Sequence, residues 1–376
     1  MAKLNEINLR KKRVILRTDF DVPVHDGRII DDFRIQSSLA TIKLLLKNKA
    51  SIMILSHLGR PDGIYIPGLS LRPVAEYLAT VFKHIPLSFT DELISMQVRQ
   101  KMAHIRSGEI LVLGNTRFMR EEENDNERFA AEIARYGEIY INDAFAVCHR
   151  EQASVHAITQ FLPSYPGLML ESELAHLNKL LTEGTNRPYI AIIGGAKIKD
   201  KITALGNLLP KIDKVLVGGA MANTFLRAAG NKVGQSVFDQ GQLYYAERLL
   251  NQFSDKIVLP TDYVSDIDDD EKFRILDIGQ ETINNYKQII SQAKTVFWTG
   301  DMGVAERHEY ARGTQEVAQA IKASGAYSVL AGGDTISAVR NWQMDAGFDY
   351  ISSGGGATLA YLAGEKLPGL VALKLQ

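Results

Sequence analysis

The residues best suited to chemistry lie where short apolar segments of the chain end. In the first half, six side chains that are cationic or can become so follow such segments: Arg34, His57, Arg60, Arg117, His149 and Arg150. A single arginine in such a place is most often a surface residue, but six at corresponding places favour a binding site. Arginine binds carboxylates and phosphates through paired, permanently charged donors. Asp19 and Asp21 follow the first segment and can accept from ligand hydroxyls. The pattern predicts a site for a small phosphorylated, hydroxylated acid.

The second half carries glycines at the corresponding places. Glycine lets backbone N–H groups approach a ligand closely, and it occurs at Gly194, Gly195, Gly218, Gly219, Gly332, Gly333, Gly354, Gly355 and Gly356. Lys197 and Lys201 stand four residues apart, so they share a face if a helix begins there, and both can neutralise phosphate oxygens. Asp334, beside Thr335, either caps a helix or holds magnesium against phosphates. The pattern predicts a polyphosphate site.

Alternating strand and helix patterns run along nearly the whole chain and must position these residues. They predict an α/β protein with two doubly wound parallel-sheet domains, joined by a hinge and a connecting helix. In open parallel sheets, ligands bind beyond the carboxyl ends of the strands. Helical spacing is found at residues 31–48, 70–82, 126–136 and 313–324. Residues 161–167 contain two prolines and a glycine and predict the hinge, and Leu170, Leu174, Leu177 and Leu181 then share one helical face.

Composition excludes several classes of protein. The 376 residues carry a net charge of −1, so nothing marks the chain as a binder of nucleic acid or of anionic membranes. One cysteine, Cys148, and the lack of a long apolar run predict a cytoplasmic protein without disulfides. No group that could orient Cys148 is evident, so a nucleophilic role is disfavoured. The acidic residues 265–273 are predicted to form a solvated loop rather than a metal site.

Two nucleotide-binding signatures are missing from the sequence. There is no G-x-x-x-x-G-K-[ST] segment, which excludes a P-loop. No G-x-G-x-x-G opens a βαβ unit with an acidic residue downstream. A dinucleotide-dependent oxidoreductase is therefore the weaker alternative.

In their order along the chain, seven segments resemble the phosphoglycerate kinase family. They are TDFDVPVHDGRIIDDFRI (18–35), SHLGRP (56–61), NTRF (115–118), INDAF with HR (141–150), GGAKIKDKI (194–202), AGGDT (331–335) and SGGGAT (353–358). The resemblance covers essentially the whole chain. It implies a monomeric kinase of glycolysis or gluconeogenesis, which transfers a phosphoryl group reversibly between ATP and the carboxylate of 3-phosphoglycerate. Magnesium would accompany ATP or ADP.

The resemblance also implies a division of the chain. Residues 1–167 would bind 3-phosphoglycerate, 168–188 would form the hinge and connecting helix, and 189–358 would bind the magnesium nucleotide. Residues 359–376 would return to the first domain. Closure of the hinge would bring the two ligands together and exclude water.

Site residues follow from the matched segments. The acid would be held by Asp19, Phe20, Asp21, Arg34, His57, Leu58, Gly59, Arg60, Arg117 and Arg150. The nucleotide would be held by Lys197, Lys201, Gly218, Gly219, Glu306, Gly332, Gly333, Asp334 and Thr335, with Asp334 on the metal. Gly354, Gly355 and Gly356 would line the phosphate path. Arg34, Lys197 and Lys201 would stabilise the moving phosphoryl group.

The sequence departs from the family pattern at several positions in these segments. Asp21 stands where the family has asparagine, Gly114 where it has glutamate, and FAVCHR (145–150) where it has Phe-Gly-Thr-Ala-His-Arg. Thr299, Asp301 and Ala305 replace asparagine, proline and phenylalanine. A carboxylate at 301 repels phosphates unless it is turned away or paired, which predicts lower turnover. The alternative is a catalytically weakened relative that binds nucleotide or phospho-acid.

Overall fold

The protein is described by a computed structural model that covers residues 3–182, 185–267 and 272–376. Residues 268–271 of the predicted acidic loop therefore lie outside the described residues, and the side chain of Asp200 does too. The chain divides into two compact units. The first consists of Met1–Leu174 with Lys366–Gln376, and the second of Ala175–Glu365.

The first unit contains a six-stranded sheet and a two-stranded hairpin. The strands of this unit are β1 (Arg13–Thr18), β2 (Val24–His25), β3 (Arg28–Ile29), β4 (Ser51–Ser56), β5 (Leu87–Phe89), β6 (Ile110–Asn115), β7 (Ile139–Asp143) and β8 (Ser164–Pro166). Its helices are α1 (Phe33–Lys47), α2 (Arg72–Val81), α3 (Met96–His104), α4 (Arg120–Glu123), α5 (Glu127–Ala134) and α6 (Leu168–Leu181), which continues into the second unit. The sheet order is β5-β6-β4-β1-β7-β8, all parallel, and β2 and β3 form a separate hairpin.

The second unit repeats this type of architecture. Its strands are β9 (Tyr189–Ile193), β10 (Lys214–Val217), β11 (Ile257–Val258), β12 (Tyr263–Ser265), β13 (Ile275–Ile278), β14 (Thr295–Thr299), β15 (Tyr327–Ala331) and β16 (Tyr350–Ser352). Its helices are α7 (Ile198–Leu208), α8 (Gly219–Ala228), α9 (Leu243–Gln252), α10 (Gln280–Ser291), α11 (Arg312–Ser324), α12 (Gly333–Asn341) and α13 (Gly356–Leu362). The parallel sheet has the order β11-β10-β9-β14-β15-β16. The last helix, α14 (Pro368–Ala372), belongs to the first unit.

The central strands are apolar because helices cover both faces of each sheet. Every residue of β4, β6, β7, β9 and β14 is buried. Continuous apolar runs of this kind are typical of parallel sheets. No helix in the described parts of the chain is both long enough and apolar enough to span a bilayer.

Part of the segment predicted as the hinge forms a strand. Ser164–Pro166 forms β8, which pairs with β7 at the edge of the first sheet. The two prolines of residues 161–167 hid this strand, because proline cannot donate to a ladder and is confined to edge strands. The helix that follows begins at Leu168.

Each sheet contains one point where the strand order reverses. In the first unit β1 lies between β4 and β7, and in the second β9 lies between β10 and β14. At such a point, the loops after two neighbouring strands leave in opposite directions and open a crevice at the carboxyl ends. The residues after Thr18 and Asp143 border the first crevice, and those after Ile193 and Thr299 border the second.

Candidate active site

In the first unit, the loop after β1 is tied to α1 and to the loop after β4 by its two carboxylates. Arg34 Nη1 donates to Asp19 Oδ2 at 2.7 Å, and it lies 4.0 Å from Asp21 Oδ2. The Gly59 N–H donates to Asp21 Oδ1 at 2.8 Å. The side chain of Asp19 is buried, whereas that of Arg34 is 29% exposed. One edge of the guanidinium is thus fixed by Asp19, and part of the group remains accessible.

His57 is buried in the same cluster, and its ring is fixed by an arginine that the sequence analysis did not select. Arg17 Nη2 lies 3.3 Å from His57 Nδ1. Arginine only donates, so Nδ1 accepts and the ring proton sits on Nε2, 3.7 Å from Asp21 Oδ2. Burial, followed by the charges of Arg17 and Arg117, lowers the pKa of His57 well below its usual value. His57 is therefore a neutral hydrogen-bonding group here rather than the cation that the sequence allowed.

Arg17 lies at the penultimate position of β1 and is completely buried. Its Nε donates to Ser154 Oγ at 2.8 Å, and Nη2 lies 4.0 Å from Glu122 Oε1. The sequence did contain a signal that could have identified Arg17. It is a charged residue directly after the apolar run VIL, and arginine is almost never fully buried without a partner.

A further cation of this cluster is Arg117, whose Nε lies 3.8 Å from Glu123 Oε1. Arg117 is buried, and its Nη1 donates to the Gly59 carbonyl at 2.8 Å. Burial first, and then the charges of Arg17 and Arg150, lower the pKa of Arg117. Buried guanidinium groups that repel one another favour an anion between them. The cluster therefore has the electrostatics of an anion site.

The other predicted acid-site residues have different surroundings. Phe20 and Leu58 are buried in the apolar core, so they contribute to the site only through their backbone. Arg60 is exposed and Arg150 is half-buried. Asn115 was missed, and its Nδ2 donates to the Leu58 carbonyl at 2.6 Å, which holds the loop after β4.

In the second unit, three helix N-termini border one small cavity of about 170 Å³. Lys197 directly precedes α7, Gly332 and Gly333 form the start of α12, and Gly355 and Gly356 form the start of α13. Free N–H groups and the helix dipole make each N-terminus favourable for an anion. Their convergence on one cavity favours a ligand with several negative charges.

Lys201 brings a positive charge to the same cavity. Its Nζ donates to the Gly194 carbonyl at 2.6 Å, and only 9% of the residue is exposed. Burial lowers the pKa of Lys201, while the charges of Asp301 and Asp334 oppose that change. Lys197 is exposed at the entrance to α7. The two lysines predicted to neutralise phosphates thus both line the cavity.

A larger cavity of about 360 Å³ shares the walls formed by Gly195, Ala196, Asp301 and Asp334. Its apolar lining was not found from the sequence, and includes Ala220, Val237, Ile275, Leu276, Met302 and Val304. Asn223 also lines it, and its buried Oδ1 has no hydrogen-bond partner among the described residues. An apolar chamber with a few polar groups, joined to a phosphate-type cavity, suits a nucleoside with its phosphates.

The predicted nucleotide residues fall into two groups in the structure. Gly219 and Glu306 line the larger cavity, Gly332, Gly333 and Thr335 line the smaller one, and Asp334 lines both. Gly194, Gly218 and Gly354 do not line either cavity and are buried. Gly218 allows close packing, because a Cβ there would lie 2.6 Å from the Met302 sulfur.

The carboxylates at the cavity walls fit a hard divalent cation. Asp334 and Asp301 supply oxygen ligands of the kind that magnesium prefers. Burial raises the pKa of Asp301 to about 6. Among the described residues, no group of three or more histidine, cysteine, aspartate or glutamate side chains could hold a metal by itself. A cation here would therefore share its coordination with phosphate oxygens.

Gly300 is required where the two loops at the second switch point touch. It has φ +87°, and a Cβ there would lie 2.1 Å from the Gly194 carbonyl oxygen and 2.6 Å from Lys201 Nζ. We expect Gly300→Ala to weaken binding of magnesium-ADP at least about tenfold, because the added carbon displaces Lys201. Isothermal titration calorimetry measures this loss.

Gly230→Ala is the matched control for Gly300→Ala. Gly230 has φ +84°, but a Cβ there meets nothing within 4 Å. Both variants carry the strain of a positive φ, and only one crowds the cavity. Equal loss of nucleotide affinity in the two variants would show that backbone strain, rather than crowding of Lys201, is the cause.

An α/β fold of two units, with phosphate-type residues at both switch points, is typical of phosphotransferases. The family model for phosphoglycerate kinase matches residues 4–365. The chain therefore belongs to the phosphoglycerate kinase family, as the sequence analysis predicted. Its function is that family's function in glycolysis, that of a phosphotransferase with a carboxyl group as acceptor.

Relatives and solved structures match the chain along its length. It is 39% identical to phosphoglycerate kinase from Coprothermobacter proteolyticus, over 100% of this chain and 99% of the relative. It is 40% identical to that from Herpetosiphon aurantiacus, over 96% of each chain. The structure from Pyrococcus horikoshii aligns with a TM-score of 0.90 at 32% identity, covering 100% of this chain and 99% of the other. That from Coxiella burnetii aligns with a TM-score of 0.85 at 34% identity, covering 99% and 98%.

Proposed function

We propose that the chain transfers a phosphoryl group reversibly between ATP and the carboxylate of 3-phosphoglycerate, with the nucleotide on the second unit and the acid on the first. The observation that carries this proposal is the convergence of three helix N-termini and Lys201 on one cavity, which adjoins an apolar chamber. That arrangement supports a nucleoside polyphosphate. The arginine cluster of the first unit supports a small anionic partner.

In the first unit, Arg117, Arg150 and Arg60 would bind the anionic groups of 3-phosphoglycerate. Arg34 would contact the carboxylate and the incoming phosphoryl group through the part of its guanidinium that Asp19 leaves free. His57 would donate from Nε2, because its Nδ1 accepts from Arg17. Asp21 is engaged by the Gly59 N–H and thereby fixes the loop after β4.

In the second unit, Lys197, Lys201 and the N-termini of α7, α12 and α13 would hold the phosphates. The larger cavity would take the nucleoside, with the Asn223 amide oxygen as an acceptor and Glu306 at its wall. Asp334 would hold magnesium. Magnesium bound with the nucleotide supplies neutralisation of the phosphate charge.

Phosphoryl transfer at this site requires that the two substrates be positioned and that the charge of the phosphates be neutralised. It does not require a covalent enzyme intermediate. Burial raises the pKa of Cys148 to about 12, and its Sγ is a hydrogen-bond donor to the Ala144 carbonyl. The thiol is thus an unsuitable nucleophile. In-line transfer requires the acid and the nucleotide to meet during the cycle, with water excluded.

The assignment of the two ligands can be tested by binding alone. Arg117→Ala should weaken 3-phosphoglycerate binding at least about tenfold, because it removes a buried guanidinium whose charge-assisted hydrogen bonds are worth about 1.5–3 kcal/mol each. Binding of magnesium-ADP should change less than about twofold. Isothermal titration calorimetry with each ligand separately measures both.

Arg135→Ala serves as the control for Arg117→Ala. Arg135 lies on the same unit, its side chain is 70% exposed, and it pairs with Glu132. Its replacement should leave both affinities unchanged. If Arg117→Ala instead lost magnesium-ADP and kept 3-phosphoglycerate, the proposed division would be wrong.

The weakened, non-catalytic alternative is not favoured by the family membership and the names of the relatives. The monomeric state, the cytoplasmic location and the domain boundaries given above stay predictions.

A further inference from the structure

Asp301 occupies a position in the nucleotide site that no assigned role explains. It follows β14 and Gly300, and it lines both cavities of the second unit. Only 7% of the residue is exposed, and its Oδ1 has no hydrogen-bond partner among the described residues. The backbone at this point is fixed, because the Gly195 N–H donates to the Asp301 carbonyl at 2.8 Å. A buried carboxylate is thus held at the wall where phosphates are expected.

The cations around Asp301 do not neutralise it directly. Lys201 Nζ donates to the Gly194 carbonyl at 2.6 Å, and no ion pair within 4.0 Å joins it to Asp301 in the described part of the chain. Asp334 is the other carboxylate that lines both cavities. Thr335 is a hydrogen-bonding neighbour of Asp301, but a buried carboxylate without a cationic partner is still costly by several kcal/mol. Asp301 and Asp334 would repel the phosphates of a bound nucleotide, because all of these groups are negatively charged. A further positive charge is therefore needed between them.

We propose that Asp301 and Asp334 together hold the divalent cation that accompanies the nucleotide, so that this chain uses two carboxylates where the family pattern has aspartate and proline. The inference rests on the proposed nucleotide site. Magnesium in such sites is held by one or two carboxylates together with substrate phosphates.

If Asp301 is a metal ligand, its effect on nucleotide affinity should be unfavourable without a divalent cation and favourable with one. Simple repulsion would make the effect unfavourable under both conditions. Without a divalent cation, the Asp301 carboxylate repels the nucleotide phosphates, as the sequence analysis expected. With the cation bound between them, the same carboxylate becomes a ligand and increases affinity. Asp301→Asn should therefore strengthen the binding of metal-free ADP about threefold. It should weaken the binding of manganese-ADP about tenfold, a size typical of coupling between two ligands.

The experiment titrates ADP into the full chain by calorimetry, once in EDTA and once in saturating Mn²⁺. Wild type, Asp301→Asn and Glu309→Gln are compared. Glu309→Gln also removes one negative charge from the second unit, but Glu309 pairs with Arg307 and lines neither cavity. The control should behave as wild type under both conditions. Circular dichroism and thermal unfolding check that each variant is folded.

A second measurement counts the water molecules on the metal. Proton relaxation of water in the ternary complex of the protein, Mn²⁺ and ADP reports the hydration of manganese. The proposal predicts about one water fewer in wild type than in Asp301→Asn, since a carboxylate oxygen takes one coordination position. Equal hydration in the two proteins overturns the proposal.

The outcomes separate this inference from the proposed function. If Asp301→Asn strengthens ADP binding to the same extent with and without Mn²⁺, Asp301 only repels phosphate, and the inference fails while the nucleotide site stands. Equal affinities in wild type and Asp301→Asn under both conditions also overturn it. If wild type binds ADP under neither condition, the proposed function itself fails.

Discussion

Arg34→Ala should reduce kcat for phosphoryl transfer by about 100- to 1000-fold, the loss seen when one preorganised donor to a transition state is removed. The structure supports this because Asp19 fixes one edge of the guanidinium at 2.7 Å, while 29% of the side chain stays accessible. The nearby charge of Asp19 also raises the pKa of Arg34, so its charge is permanent. Steady-state kinetics at saturating substrates measures the effect.

Two further variants distinguish the guanidinium from a general positive charge. Arg34→Lys keeps the charge but loses the planar fork, and we expect it to stay well below wild type. Arg28→Ala removes an exposed arginine of the same unit and should be neutral. Activity of Arg34→Ala within about threefold of wild type would remove Arg34 from the reaction.

Replacing Lys201 with alanine should have the second-largest effect. Its ammonium group is almost completely buried at the cavity wall and donates to Gly194. A desolvated cation aimed at phosphates acts far more strongly than one in water. We expect kcat/KM for magnesium-ATP to fall about 100-fold or more, while calorimetric affinity for 3-phosphoglycerate changes less than about twofold.

Lys199→Ala is the control for Lys201→Ala, because Lys199 lies on the same helix and is exposed. It should leave the kinetics of both substrates unchanged. A Lys201→Ala protein that loses 3-phosphoglycerate binding, while retaining its fold by circular dichroism, would contradict the location of the nucleotide on the second unit.

The central strands and the loops that follow them could be predicted from the sequence. YIAII in β9 is apolar throughout, and β7 begins with the apolar run IYI, because both faces of a parallel sheet are covered. The sequence missed β5, β8 and β11, which are short strands at sheet edges. Strands of two or three residues bury too little to produce an apolar run, and Pro166 concealed β8 further.

The candidate sites were predicted to different depths. His57 and Arg117 were found because they lie at the ends of β4 and β6, and Arg34 because it lies just after the turns that precede α1. Arg17 was missed because it lies inside a strand, where a buried charge is unexpected. The apolar chamber of the second unit was also missed, since its walls come from segments far apart in the chain. Local patterns do not record such distant contacts.

The central claim is that one chain moves a phosphoryl group between ATP and 3-phosphoglycerate. Its most direct test is a coupled assay of 1,3-bisphosphoglycerate formation by the wild-type protein. We predict product formation that requires ATP, 3-phosphoglycerate and magnesium together, and that Arg34→Ala nearly abolishes. Absence of product, or ATP consumption that does not depend on 3-phosphoglycerate, would contradict the account.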